Sequence, residues 1–209
     1  ARRSSERCPD KMLRNFCGSS LAQIILDKLH DLGSNTFFAA HEPEFKELCN
    51  QSNVRFVQRS QRSANIDEPI VEILDFLKNE DFTHFLIINA CLPFLRIETI
   101  RKFISHCEQN HYKPSFGVVK RQNFYFDSQG RPFNFEADMK TINTKSAEQL
   151  YEFAHALYFF EKEHFLENGR YWEWSDVALY EISDHIELID IDTEEEFRVA
   201  SKLWESMHS

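Results

Sequence analysis

The chain has 209 residues, with 24 Lys or Arg and 34 Asp or Glu, so its formal net charge at pH 7 is −10. This length fits one domain, which buries enough apolar surface to fold without disulfides or a structural metal. The acidic balance argues against nucleic-acid binding and against docking on anionic lipid, because both need a basic face. No apolar run approaches the roughly 20 residues of a membrane span.

Strand-like and helix-like segments alternate along the chain. Apolar residues at helical spacing predict a helix over Leu21–Leu32, which Gly33 ends. Further helices are predicted over residues 44–51, 68–78, 97–107 and 193–207, and strands over residues 36–40, 54–58, 85–88, 115–119, 154–160, 179–182 and 188–191. Such alternation predicts an α/β fold whose mostly parallel sheet lies between helices on both faces. Ligands of these sheets bind beyond the carboxyl ends of the strands.

The cysteines indicate the redox compartment. They are Cys8, Cys17, Cys49, Cys91 and Cys107, an odd number without a CxxC pair. This pattern predicts reduced thiols rather than a disulfide framework or a zinc site. The polar first residues do not resemble a signal peptide. We therefore expect a cytoplasmic protein.

The opening segment, ARRSSERCPDK, is polar, basic and rich in turn-forming residues. Arg2, Arg3, Arg7 and Lys11 concentrate positive charge in a chain that is acidic overall. A flexible loop with several cations and free backbone N–H groups can hold a triphosphate. A frayed basic terminus has the same composition, and charge alone favours that simpler interpretation.

Two carboxylates, Asp190 and Asp192, lie one residue apart in the stretch IDID near the other end of the chain. On a strand their side chains share one side. Carboxylates this close repel each other unless a cation lies between them, and hard oxygen ligands suit Mg²⁺ that bridges to phosphate. Capping of the following helix is the alternative for Asp192, and it is the stronger one for that residue taken alone.

Other polar side chains lie on or after predicted strands. Asn89 follows the buried run FLII, where it suits either ligand contact or a strand-ending turn. Arg59 follows the strand over residues 54–58 and is able to meet a phosphate or a base, as any exposed arginine is. Tyr158 and His155 lie on the run AHALYFF, and a hydrogen-bonded strand histidine is the simpler interpretation of His155.

Together these segments resemble one family, the cytidylyltransferases that make CMP-activated sugar acids, such as the CMP-sialic acid, CMP-pseudaminic acid and CMP-Kdo synthetases. ARRSSERCPDK is similar to the family's nucleotide loop, Ala-Arg-x-x-Ser-x-(Arg/Lys)-x-Pro-x-Lys. IDIDTEEEF is similar to its metal motif, Ile-Asp-Ile-Asp-Thr-Glu-(Glu/Asp)-(Glu/Asp)-Phe. INACLPFLRIETI lies where the family has a strand end bearing Gln or Asn, followed by Pro. The resemblance covers nearly the whole chain, and the two end motifs are specific as a pair.

The resemblance implies a Rossmann-like three-layer α/β/α nucleotidyltransferase fold with a mostly parallel sheet. It implies one domain over residues 1–209, with a small dimerisation extension over about 136–170 and a homodimer as the assembly. The implied reaction transfers CMP from CTP to the anomeric hydroxyl of a 2-keto sugar acid (sialic, pseudaminic, legionaminic or Kdo-like) and releases pyrophosphate. Its partners are then CTP and an acidic sugar, and its product serves surface glycan synthesis.

The resemblance also implies roles for individual residues. Those assigned to the nucleotide are Arg2, Ser5, Arg7, Lys11 and Arg59. Those assigned to the acceptor are Asn89 and Tyr158. Mg²⁺ is the implied cofactor, with Asp190 and Asp192 as its ligands. The residues assigned to catalysis are Arg2, Lys11, Asp190 and Asp192.

The sequence departs from the family pattern in several places. Met12 replaces the asparagine that follows the loop lysine and helps to select cytosine. Residues 154–158 are AHALY where sialic-type members have Asn-Gly-Ala-Ile-Tyr, and residues 90–93 are ACLP where the family has Pro-Thr-Ser-Pro. Relatives also carry an apolar strand ahead of the nucleotide loop, which does not precede the loop in this sequence.

These departures keep three other functions open. One is a nucleotidyltransferase that uses another nucleotide or another acidic acceptor, such as a phosphonate or a sugar phosphate. A second is a catalytically inactive relative that only binds. A glycosyltransferase ranks lower, because its DxD motif usually lies mid-chain.

Overall fold

A computed structural model describes residues 6–64 and 68–208, and six α-helices and six strands alternate along these two ranges. The helices are α1 (Leu21–Leu32), α2 (Pro43–Gln51), α3 (Ile70–Ile73), α4 (Ile97–Gln109), α5 (Lys162–Asn168) and α6 (Glu194–His208). The strands are β1 (Phe37–Ala40), β2 (Arg55–Gln58), β3 (His84–Ile88), β4 (Ser115–Gln122), β5 (Gln149–Glu161) and β6 (Ala178–Glu181). The predicted α/β class is confirmed. No helix in the described ranges is long and apolar enough to cross a membrane.

The strands form two sheets. β1 pairs with β2 in parallel, and the second sheet has the order β3-β5-β4-β6. In that sheet β4 and β6 are parallel, whereas β5 is antiparallel to both of its neighbours. Hence β3, β4 and β6 run in one direction. The alternation of strands and helices did not predict that β5 would run the other way.

Helices cover both faces of the strands. Phe38 of β1 and Ile88 of β3 pack in a core with side chains of α1, α2 and α6. Phe37 of β1 and Phe85 of β3 pack in another core with side chains of α3 and α5. Because alternate side chains of a strand point to opposite faces, this division places the strands between two helical layers.

Helix α1 has the bounds that its apolar spacing predicts. Ser20 caps its amino end by accepting a hydrogen bond from the Gln23 backbone N–H. Gly33 ends it at φ +102°, a conformation that strains residues with a Cβ atom. Ile25 and Leu29, one turn apart, are both buried on the core side.

Two predicted elements differ from those observed. Residues 68–78 form the single turn α3 and a 3₁₀ turn over Asp75–Asn79 instead of one helix, because Leu74 leaves helical geometry at φ −109°, ψ 22°. The strand predicted over residues 188–191 was wrong, since this segment follows a 3₁₀ turn over His185–Leu188 and joins neither sheet. The buried Glu187 side chain accounts for the turn, because its hydrogen-bond partners lie at the start of α4 rather than on a strand.

The predicted extension over residues 136–170 is not one separate element. From Gln149 onward the chain forms β5, between β3 and β4, and then α5. The preceding residues, 123–148, are mostly loop and carry exposed apolar side chains such as Phe133 and Ile142. Within the predicted range, only residues 136–148 belong to this exposed loop, and nearly all of the rest belongs to the sheet and to α5.

Lys28 ties α1 to the loop that follows β3. Its Nζ donates a hydrogen bond to the Pro93 carbonyl oxygen at 2.7 Å. Burial lowers the pKa of the Lys28 amine from 10.5 to about 8, although the charges of Glu187 and Asp27 oppose this shift. The fold therefore holds the protonated amine at a cost in stability.

We expect this cost to appear in the pH dependence of stability. Between about pH 8 and 10.5 the folded protein binds fewer protons at Lys28 than the unfolded chain, so its stability rises with pH in that window. In Lys28→Met this contribution is absent. Urea unfolding at pH 8 and pH 10 should show wild type gaining stability relative to Lys28→Met, whereas Lys46→Met, at an exposed position of α2, should track wild type. A pH-independent difference between wild type and Lys28→Met would contradict the burial argument.

Candidate active site

The opening loop meets the segment ahead of α6, about 180 residues later in the chain. Lys11 Nζ donates to the Ile191 carbonyl oxygen at 2.5 Å and lies 3.0 Å from Asp192 Oδ1. Arg7 Nη2 lies 2.8 Å from Asp192 Oδ2. Each carboxylate oxygen of Asp192 thus has its own cation, and the structure brings the two end motifs into one cluster.

Thr193 and Glu196 cap the amino end of α6, so Asp192 is not needed for capping and can contact the loop cations. Thr193 Oγ1 accepts a hydrogen bond from the Glu196 N–H at 3.2 Å, and Glu196 Oε2 accepts one from the Thr193 N–H at 2.8 Å. This reciprocal capping box satisfies the amino end of α6. The carboxylate of Asp192 makes its described bonds to the loop cations instead, so the capping interpretation of Asp192 was wrong.

Asn89 joins the cluster from the carboxyl end of β3. Its Nδ2 donates to Asp190 Oδ2 at 3.1 Å and to the His155 carbonyl oxygen at 3.0 Å, while its Oδ1 accepts from the Cys91 N–H at 2.9 Å. The Ile191 N–H in turn donates to the Cys91 carbonyl oxygen at 3.1 Å. The loop after β3 and the IDID segment are therefore bonded side by side.

Asp190 carries the features of a cation ligand. Its Oδ1 is buried and has no hydrogen-bond partner within residues 6–64 and 68–208. Burial and then the charge of Asp192 raise the pKa of Asp190, against the hydrogen bond from Asn89 and the charge of Lys11. An unpartnered carboxylate oxygen is the hard donor type that Mg²⁺ prefers, so the chemistry of Asp190 is compatible with the predicted metal role. Within the described ranges no group of three or more His, Cys, Asp or Glu side chains is placed to hold a metal ion, and the Mg²⁺ role stays a prediction.

The cations hold Asp192 in its charged form. Burial favours a higher pKa for Asp192, but the hydrogen bond and charge of Lys11 and the charge of Arg7 outweigh it and leave that pKa below its ordinary value. Burial likewise disfavours a charged Lys11, yet Cys91 and Asp192 raise its pKa. A phosphate that bound to Lys11 would share the ammonium group, which has three N–H donors, with Asp192.

Tyr158 reaches the cluster through His155. The Tyr158 hydroxyl lies 3.4 Å from His155 Nδ1. Burial raises the pKa of Tyr158, with smaller contributions from Tyr171 and Asp190. His155 lies on β5 and is hydrogen-bonded, as the simpler interpretation expects, while its side chain is exposed and its φ is +51°.

The structure does not bring every predicted residue into this cluster. Arg59 is buried and donates to Ser63 Oγ at 3.0 Å and to the Ile73 carbonyl oxygen at 3.3 Å. It lines an apolar cavity of about 630 Å³ between β1 and β3, which the charged cluster does not line. Its nucleotide role stays a prediction. The predictions for Arg2 and Ser5 lie outside the described residues.

Glu187 is the residue that sequence reasoning missed. It is 3% exposed, and its carboxylate accepts from the Arg96 N–H at 2.8 Å, from Arg96 Nη2 at 2.5 Å and from Thr99 Oγ1 at 3.0 Å. It thus caps α4 from the turn that leads into Asp190. The sequence feature that points to this buried carboxylate is a single acidic residue between apolar neighbours in the stretch HIELI, residues 185–189.

The fold and the cluster define the class of protein. A three-layer α/β/α arrangement with a cationic loop and an acidic pair beside strand ends is that of a Rossmann-like nucleotidyltransferase. A family model described as "Cytidylyltransferase" matches residues 1–208. The chain therefore belongs to the cytidylyltransferase family, and the resemblance seen in the end motifs is confirmed at that level.

Many solved structures are similar to this chain in fold, and three of them illustrate the range. CMP:2-keto-3-deoxy-manno-octonic acid synthetase complexed with CTP has a TM-score of 0.72 at 9% identity, over 99% of this chain and 96% of that one. The 4-diphosphocytidyl-2C-methyl-D-erythritol synthase of Anaerococcus prevotii has a TM-score of 0.64 at 16% identity, over 95% of each chain. The molybdopterin-guanine dinucleotide biosynthesis protein A of Archaeoglobus fulgidus has a TM-score of 0.60 at 14% identity, over 98% of this chain and 96% of that one. Among curated proteins none matches.

The two aspartates should affect stability in opposite directions. Asp190→Asn removes a buried charge beside Asp192, so we expect the metal-free protein to melt about 2–4 °C higher, the shift for roughly 1 kcal/mol in a chain of this size. Asp192→Asn removes the ion pairs with Arg7 and Lys11, so its melting temperature should fall. Thermal unfolding in EDTA at pH 7 measures both. If both variants change the melting temperature in the same direction, the argument that the two carboxylates have opposite effects on stability is wrong.

Proposed function

We propose that this cytidylyltransferase transfers CMP from CTP to the anomeric hydroxyl of a 2-keto sugar acid and releases pyrophosphate, for surface glycan synthesis. The observation that carries the proposal is the joining of the cationic loop to the acidic pair through Lys11 and Asp192. Such a cluster can hold both the phosphates of a nucleotide and a divalent ion. The fold shared with a synthetase that was solved with CTP supports the same choice.

Arg7 and Lys11 are proposed to bind the triphosphate, with Arg2 and Ser5 completing the loop. Both described cations already lie on a carboxylate, so they are oriented before the nucleotide arrives. Fixed positive charge beside the departing pyrophosphate stabilises the transition state without reorganisation. Lys11 has the larger role, because its side chain is only 11% exposed and so interacts in a less polar environment.

Asp190 and Asp192 are proposed to hold Mg²⁺. When bound, the ion neutralises phosphate charge and lowers the pKa of a coordinated hydroxyl. The Asn89 amide orients Asp190 by donating to its Oδ2, which leaves the buried Oδ1 for the cation. Asn89 and Tyr158 are also proposed to contact the acceptor, since both lie next to Asp190.

Pyrophosphate release tests the reaction. We expect release from CTP and Mg²⁺ with at least one of N-acetylneuraminic, pseudaminic, legionaminic and 3-deoxy-manno-octulosonic acids. Lys11→Gln should lower kcat by roughly 10²–10³, as the loss of one preorganised charge does. Lys78→Gln, at an exposed site in the 3₁₀ turn after α3, is the matched control and should retain wild-type activity. No release with any of these acids would count against the proposal.

A second candidate is a nucleotidyltransferase for another nucleotide or another acidic acceptor. Met12 favours it, because this side chain is buried at 2% exposure and offers no polar group to a cytosine. Thermal shifts with the four nucleoside triphosphates and Mg²⁺ separate the two. CTP should give the largest stabilisation if the first proposal holds, whereas a larger effect of ATP, GTP or UTP would favour the second.

We further propose that the enzyme is a homodimer associated through the loop over residues 123–148 and the start of β5. Exposed apolar side chains concentrate there, which is unusual for a monomer surface. They are Phe126, Phe133, Ile142 and Tyr151. None of the five cysteines, all of which lie in the described ranges, forms a disulfide, which is consistent with the reducing cytoplasm as its location.

Light scattering after size-exclusion chromatography tests the assembly. Wild type should have the mass of two chains, and Phe133→Asp should have the mass of one, because it places a charge in an apolar contact. Leu166→Asp alters an exposed leucine of α5 outside this surface and should leave the mass unchanged. A monomeric wild type would refute the dimer.

A further inference from the structure

His155 occupies a backbone conformation that disfavours its side chain. Its φ of +51° lies in the left-handed region, which glycine adopts freely and residues with a Cβ atom adopt at a cost. It lies in β5 where the pairing with β4 shifts register, between Phe116 and Val118. In the stretch AHALY it takes the position of the glycine in Asn-Gly-Ala-Ile-Tyr. The fold therefore retains a histidine where glycine would be less strained.

This strained residue is bonded directly to the candidate active site. Its carbonyl oxygen accepts from Asn89 Nδ2 at 3.0 Å, and the same amide lies 3.1 Å from Asp190 Oδ2. The Asn89 side chain therefore connects the backbone of β5, at the register shift, to Asp190. Local strain of this kind persists where its surroundings fix it, and it clusters at functional sites.

The imidazole ring is exposed but held in place. It lies edge-on to Phe153, with ring centroids 4.6 Å apart and an interplanar angle of 82°. Its Nδ1 lies 3.4 Å from the Tyr158 hydroxyl. An imidazole and a phenol therefore stand side by side, the phenol close enough to Asp190 for that charge to affect it, and both can donate hydrogen bonds.

The charges around His155 indicate what it can bind. An acidic acceptor adds negative charge beside Asp190 and Asp192, so it needs donors or cations of its own. The described bonds of Arg7 and Lys11 to this segment are to Asp192 and its neighbour. Glu152 lies near His155, and its carboxylate is paired with Arg121 Nε at 2.6 Å.

We propose that His155 binds the anionic group of the acceptor, together with the Tyr158 hydroxyl, and thereby determines acceptor selectivity. This inference rests on the proposed function, of which it specifies the acceptor side. Charge-assisted hydrogen bonds to a carboxylate are among the stronger polar contacts in proteins. Such a contact explains why a strained histidine stands at this position.

His155→Gly tests the proposal, and His111→Gly is its matched control. His111 is also exposed and left-handed, at φ +56°, but it follows α4 and makes no described contact with the site. Both variants should raise the melting temperature, because glycine relieves the backbone strain. Only His155→Gly should raise the KM for the sugar acid, by tenfold or more, with the KM for CTP unchanged. Equal acceptor KM values for the two variants would overturn the proposal.

A binding measurement separates this inference from the proposed reaction. Imidazole NMR signals of the wild-type protein, assigned with the two variants, are followed as N-acetylneuraminic or 3-deoxy-manno-octulosonic acid is added. We expect the His155 signals to move and the His111 signals to stay. If pyrophosphate release fails but the His155 signals move, the reaction is wrong and the binding role stands. If neither acid moves the His155 signals, the binding role is wrong whatever the activity.

Discussion

The contact between Lys11 and the Ile191–Asp192 segment is the constraint on which the site depends. It joins two segments about 180 residues apart, and its 2.5 Å bond to a backbone carbonyl fixes the ammonium group independently of any ligand. Asp192 then keeps that cation charged in a mostly buried position. The ion pairs of Arg7 with Asp192 and of Arg14 with Glu194 join the same two segments, so the loop and the acidic pair form one site.

The site also trades stability for function. Asp190 is buried beside a second carboxylate with one oxygen unpartnered in the described part of the chain, an arrangement that destabilises a metal-free fold. Asn89 and the Cys91–Ile191 backbone bond hold it there all the same. Destabilised groups of this kind are found where activity and stability are in conflict.

The sequence predicted an element well where a single residue or the spacing of its apolar residues determines the local structure. The apolar spacing of α1, its Ser20 cap and Gly33 are of this kind, and the two end motifs located Lys11 and Asp192. The sequence did not predict the antiparallel direction of β5, because a strand's direction depends on partners far along the chain. The turn at Glu187 was not predicted for the same reason, since the hydrogen-bond partners of Glu187 at the start of α4 are about 90 residues away.

Strand β5 links the exposed loop to the residues near the candidate active site. This one strand starts at the exposed loop proposed for dimerisation, passes His155, and pairs with β3 from Leu157 onward, which includes Tyr158. A continuous strand makes the two proposed events reciprocal. If the acceptor orders β5, association of the subunits tightens acceptor binding by the same factor by which the acceptor strengthens association. Cooperativity between subunits would then require no moving domain, only a strand that both events order.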